Sequence, residues 1–137
     1  MKGIVLLGLA LGICLVLGGC QKGLSEQLEG KWQLTKVEED GRTVYVDTVW
    51  YNFQSESLFL YQVYDPQTET FSRQLGYKSQ PEENTILLAL FSNPRPVADF
   101  ILLTDWREKE RRFVVLDVGG GRLVLSSDNK TYHFIRF

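Results

Sequence analysis

His133 is the one histidine of the chain, and it stands in an alternating run, Tyr132-His133-Phe134, near the C-terminal end. An imidazole can serve as general base, proton shuttle or metal ligand. A zinc or copper site draws several His or Cys ligands, and the two cysteines, Cys14 and Cys20, lie far away at the N-terminal end. No metal site is expected, so chelators should leave stability unchanged. A serine nucleophile needs a base and a context such as the G-x-S-x-G elbow, and no serine stands in one. Glu38-Glu39-Asp40 and Glu82-Glu83 gather carboxylates. A glycosidase needs two that face each other at about 5 Å or about 6.5–9.5 Å, which neighbours on a turn do not provide. Gly119-Gly120-Gly121 leads into a strand-like run rather than a helix, so it reads as a turn and not as a phosphate cradle. The densest charge run is WREKERRF, Trp106 to Phe113. Glu108 and Glu110 interrupt its basic residues, which favours a solvated hairpin over a patch for an anionic partner. Neither catalysis nor a cofactor is expected.

The cysteines point elsewhere. Met1 and Lys2 make a positive start, and Ile4 to Gly18 carries no charge. That stretch is shorter than the roughly 20 residues a helix needs to cross a bilayer, and it fits the apolar core of a secretion signal. It ends Leu17-Gly18-Gly19-Cys20 and turns polar at once. These four residues resemble the lipobox of bacterial lipoproteins. The resemblance implies removal of residues 1–19, a diacylglycerol on the Cys20 sulfur and acylation of its amine. Two or three acyl chains anchor stably where one is marginal. The other reading is an uncleaved signal anchor with an incidental cysteine. Gln21 and Lys22 follow the cysteine, without the aspartate that retains some lipoproteins at the inner membrane, so the expected location is the bacterial envelope, at the outer membrane. Cys14 leaves with the leader and Cys20 is acylated, so no disulfide or thiolate remains for the mature chain.

The chain beyond Cys20 suits one domain. The balance of 15 Lys+Arg against 17 Asp+Glu, net charge −2, excludes a basic nucleic-acid surface. All three Trp, six Tyr and eight Phe come after Cys20, a richness that argues for a packed core. Residues 20–29, CQKGLSEQLE, read as the acylated cysteine with a flexible polar tether, and the domain spans 30–137.

Within it the period is two. Trp32 and Leu34 alternate with Lys31, Gln33 and Thr35, Val49, Tyr51 and Phe53 with Trp50, Asn52 and Gln54, and Phe71, Leu75 and Tyr77 with Ser72, Gln74, Gly76 and Lys78, as half-buried strands do. SLFLYQVY (Ser57 to Tyr64), TILLALF (Thr85 to Phe91) and FILL (Phe100 to Leu103) read as denser strands. Asp-Gly, Asp-Pro, Asn-Pro, Gly-Gly-Gly and SSDNK fall between the runs, and each favours a turn. LVLSSDNKTYHF is the clearest hairpin. No helical stripe is visible. The pattern predicts an all-β domain, a single antiparallel up-and-down barrel of eight to nine strands, which also removes open sheet edges.

EGKWQL, DTVWYNFQ and the closing LVLSSDNKTYHFIRF resemble the small lipocalin-like lipoproteins common in Bacteroidetes. The likeness runs from Gly30 to Phe137 and includes the lipobox. It implies a lipocalin-like barrel in which Gly30 and Trp32 form the Gly-x-Trp of the first strand and Arg136, in the last, packs over the indole to close the barrel. A guanidinium over an indole contributes about 0.5–2 kcal/mol.

Aromatics inside such a barrel either line a pocket or fill it. Tyr51, Phe53, Tyr61 and Tyr77 are the candidate ligand-lining residues, with Tyr45, Trp50 and Tyr64 as further aromatics. The first expected function is non-catalytic binding of a small, mostly apolar molecule within the barrel of a membrane-anchored envelope protein. The alternative is a solid-core barrel acting as an interaction module for a protein partner in an envelope complex.

Overall fold

The structure is a computed structural model that describes Gly23 to Phe137; Cys20 and the leader lie outside the described residues. There are nine strands, and every pairing among them is antiparallel: β1 (Gly30–Glu39), β2 (Arg42–Tyr45), β3 (Val49–Phe53), β4 (Leu58–Asp65), β5 (Thr70–Glu82), β6 (Thr85–Leu90), β7 (Glu110–Gly119), β8 (Arg122–Ser127) and β9 (Lys130–Arg136). Eight of them close into a barrel because β1 pairs with β9 as well as with β3. The ninth, β2, pairs only with the distal half of β1, Lys36 to Glu39. It takes the place beside β1 that β3 leaves free beyond Gln33.

The turns are chemically specified. Asp40-Gly41, Gly120-Gly121 and Asp128-Asn129 each hold two consecutive positive φ angles. That is the signature of the two-residue hairpin whose twist matches the strands it joins.

Large side chains from the inward phase fill the lower barrel. Trp32, Tyr51, Phe53, Phe59, Leu88, Phe113, Leu123 and Phe134 are essentially inaccessible. Tyr51 sits at their centre, with ring centroids of Phe59, Tyr61 and Phe134 at 5.2, 4.8 and 4.9 Å. Rings at these separations contribute beyond the area they bury.

Three expectations are corrected. On β5 the alternation is as read but its phase is reversed: Gln74, Gly76 and Lys78 face inward, while Phe71 and Tyr77 are exposed. The aromatics of β3 and β4 already occupy the interior, which leaves no room for further rings from the adjoining strand β5. A Cβ on Gly76 would stand 2.6 Å from the Ala89 carbonyl oxygen. FILL is not a strand. It enters a short helix, α2 (Val97–Ile101), inside the long β6–β7 connection. Two prolines precede it, Pro94 and Pro96, and neither can donate to a strand ladder. Finally, the tether is not all spacer: Leu24–Leu28 forms helix α1, and Leu28 is fully buried in the core.

Candidate functional site

The two ends of the barrel differ. At one end α1 lies across the base. Trp32 Nε1 donates to the Leu28 carbonyl at 2.7 Å. Arg136 Nη1 and Nη2 donate to the carbonyls of Glu29 and Gln27 at 2.9 and 3.3 Å, and its guanidinium carbon lies 4.2 Å from the Trp32 ring centroid. These donors satisfy carbonyls that a helix end otherwise leaves without partners. Gly30, at φ 123°, passes beneath the guanidinium: a Cβ there would come within 2.5 Å of Arg136 Nη1. Trp32 and Arg136 are also register partners across the β1–β9 seam.

The other end is open. Here the β1–β2 hairpin, the β6–β7 connection and the start of β9 enclose a cavity of about 690 Å³. Leu34, Val37, Val44, Val46, Val49, Tyr61 and Leu103 form its apolar walls, and Glu39, Asp40, Arg42, Thr104, Asp105, Lys130 and Tyr132 supply polar groups. The β6–β7 connection divides solid from hollow. Phe100 and Trp106 turn down into the barrel and are buried, with Phe100 packing edge-on against Tyr61 at 5.3 Å and Trp106 parallel to Phe59 at 6.4 Å. Gln74 holds the root of this connection by donating to the carbonyls of Phe91 and Arg95, both at 2.7 Å.

A polar network runs from the cavity lining down to the buried Arg111. Arg111 Nη1 meets Asp105 Oδ1 at 3.2 Å, Nη2 donates to the Tyr132 hydroxyl at 2.6 Å, and Nε donates to Ser127 Oγ at 3.1 Å. Tyr132 donates in turn to the second oxygen of Asp105. Lys130 Nζ stands 3.5 Å from both Asp105 and Glu39, and Trp106 Nε1 donates to the Tyr51 hydroxyl at 3.1 Å. Burial works against the Arg111 charge, but Asp105 and the neighbouring phenols outweigh it and its pKa is raised. Burial first, and the Asp105 carboxylate second, push the Tyr132 phenol far above the ordinary tyrosine range. The same burial raises Tyr51 and Tyr61. These phenols are held neutral; Tyr132 donates to Asp105, and Tyr51 accepts from Trp106. The network rigidifies the floor and presents the Lys130 ammonium, flanked by the Asp105 and Glu39 carboxylates, to whatever enters.

A family model described as the lipocalin-like domain matches residues 14–137. The chain belongs to the lipocalin-like domain family. Two solved structures are similar to it. One is a lipocalin-like protein from Bacteroides uniformis, 26% identical, with 81% of this chain and 99% of that chain covered at a TM-score of 0.69. The other, an uncharacterized protein from Bacteroides eggerthii, is 22% identical, with 80% and 99% covered at 0.67, and speaks for the fold alone. No curated protein matches the chain.

In this lipocalin-like barrel the candidate residues part company. Tyr61 lines the cavity. Tyr51 and Phe53 lie below it in the filled core. Tyr77 is corrected: it lies on the outer wall, 59% exposed, its ring 5.0 Å from that of Phe91, because β5 runs in the reversed phase. Trp50 and Tyr64 are also outward and flank Phe71, and Tyr45 is exposed beside the mouth. Gly30, Trp32 and Arg136 come together at the closed end. His133 lies on the outer face of β9, its Nε2 2.8 Å from Glu38 Oε1. Among the described residues no three of His, Cys, Asp or Glu gather as a metal site, and no helix is long and apolar enough to cross a membrane.

Asp105, Arg111, Lys130 and Tyr132 are the residues that sequence reasoning missed. WREKERRF reads as a solvated run, and most of it is exposed, but Arg111 faces inward in phase with Phe113 and Val115. The period-two pattern across Arg111, Phe113 and Val115 is the signal that could have found it.

Proposed function

We propose that this chain is a lipid-anchored envelope protein that holds a small, mostly apolar molecule in the mouth of its barrel and does no chemistry on it. The cavity carries the reading. Its volume is in the range of small-molecule sites, about 300–1,000 Å³, and its walls are apolar around a few convergent polar groups. A ligand that fits has an apolar body against Val37, Val46, Val49 and Tyr61 and one polar group toward Asp105 and Lys130. The lipobox-like residues before Cys20 support the anchor, and a location at the outer membrane follows from Gln21 and Lys22 in place of an acidic residue.

A second reading is the interaction module. Val44, Tyr45, Leu102 and Leu103 are exposed at or near the rim, and a protein partner seated there would cover the same mouth.

Native mass spectrometry of the protein purified from its own host's envelope decides between them. One co-purifying small mass per chain supports binding and identifies the ligand class. A bare chain that crosslinks in intact cells to one envelope protein through rim positions supports the module.

A further inference from the structure

This inference rests on the proposed acylation of Cys20. Helix α1 is bound to the barrel from three strands: by Trp32 of β1, by Arg136 of β9, and by Lys78 of β5, whose Nζ donates to Ser25 Oγ at 2.9 Å. Leu28 is fully buried and Leu24 packs on the core. The fixed body of the protein therefore begins at Gly23, at the closed end, and not at Gly30. Only Gln21 and Lys22 separate Gly23 from Cys20. Three residue steps reach about 11 Å at full extension. The barrel is taller than that: ten residues of β1 at about 3.3 Å each, tilted by about 40°, give about 25 Å.

We propose that this short leash seats the closed end of the barrel against the phospholipid headgroup surface and turns the mouth away from it. The leash is less than half the height of the barrel, so the mouth cannot be presented to the bilayer while α1 stays docked. Charge at the closed end does not favour the contact: the exposed Glu26, Glu29, Glu56, Glu82 and Glu83 outnumber the exposed Arg122 and Arg136 there, and anionic headgroups repel the excess. The acyl chains impose the contact. One consequence concerns the ligand: it enters from the aqueous compartment and not sideways from the anchoring bilayer.

The test uses the full acylated chain in phosphatidylethanolamine/phosphatidylglycerol vesicles carrying a spin-labelled headgroup lipid as quencher. A dye is placed on Glu83→Cys, at the closed end, or on Gln67→Cys, at the mouth. The expected result is quenching several-fold stronger at position 83 than at 67. Inserting twenty Gly/Ser residues between Lys22 and Gly23 should abolish the difference. Equal quenching at the two positions of the uninserted chain, as a barrel lying on its side would give, overturns the proposal, and so does stronger quenching at 67. The mass of the N-terminal peptide, and vesicle partitioning of Cys20→Ser produced without residues 1–19, are read in parallel. An unacylated Cys20, or a serine variant that still partitions, sinks the anchoring reading and this inference with it. An acylated chain with equal quenching sinks the orientation alone.

Discussion

The Arg136 guanidinium and the Trp32 indole are stacked with 4.2 Å between carbon and ring centroid, and both residues also donate to carbonyls at the end of α1. One pair thus joins the first strand, the last strand and the entering helix. Trp32 is 1% exposed, so Trp32→Ala removes a large buried aromatic as well as this joint. The expected loss is about 3–5 kcal/mol, read from urea unfolding. A loss below about 1 kcal/mol would mean that the base of the barrel does not depend on it. Arg136→Lys keeps the charge but not the planar fork that reaches two carbonyls, and a smaller loss is expected.

Gly76 sits on β5 against the backbone of β6. A methyl group there meets backbone, the Ala89 carbonyl oxygen at 2.6 Å and its carbon at 3.1 Å, and paired strands cannot move aside as a flexible side chain would. Gly76→Ala should destabilise by about 1–3 kcal/mol, the usual penalty for overpacking. An unchanged melting temperature would show that the β5–β6 pairing is looser than its register indicates.

The buried phenols make stability depend on pH at the alkaline end. Burial raises Tyr51, Tyr61 and Tyr132 above the ordinary tyrosine value of 10.0. Above pH 10 the unfolded chain releases these protons and the folded chain keeps them, so the folded state binds more protons and stability falls as pH rises. Each such group contributes a slope of about 1.4 kcal/mol per pH unit in that window. Urea unfolding between pH 9 and 11.5 should show the decline, and Tyr61→Phe should flatten it by about one group's share. An equal slope in the variant would mean that Tyr61 titrates alike in both states.

Val49 lines the cavity and is half-buried. Val49→Trp adds bulk into open space and not into the filled core below. The ligand found with the wild-type chain should bind at least tenfold more weakly, while the melting temperature shifts by only a few degrees. Titration calorimetry beside a thermal melt separates the two. Undiminished binding would move the site away from the mouth.

Much of this architecture was legible from residue order alone. Period two and the turn residues specify antiparallel strands because alternation and positive-φ turns are local properties of the chain. Gly30, Trp32 and Arg136 were legible by likeness to the family. The lipobox resemblance at Cys20 is likewise carried by adjacent residues. Tertiary structure decided what depends on which side of a strand is already full. β5 alternates as clearly as β3, yet it turns Tyr77 outward and Gln74 inward, because space inside a closed barrel is shared among all its walls. Arg111 lies in a charge run and is still buried, since Asp105 from the preceding connection and Ser127 and Tyr132 from later strands meet it, and a charge can be buried only with such partners. The hollow mouth above a solid base has the same origin. It depends on how far Phe100 and Trp106 descend from the β6–β7 connection, a packing outcome that no local pattern encodes.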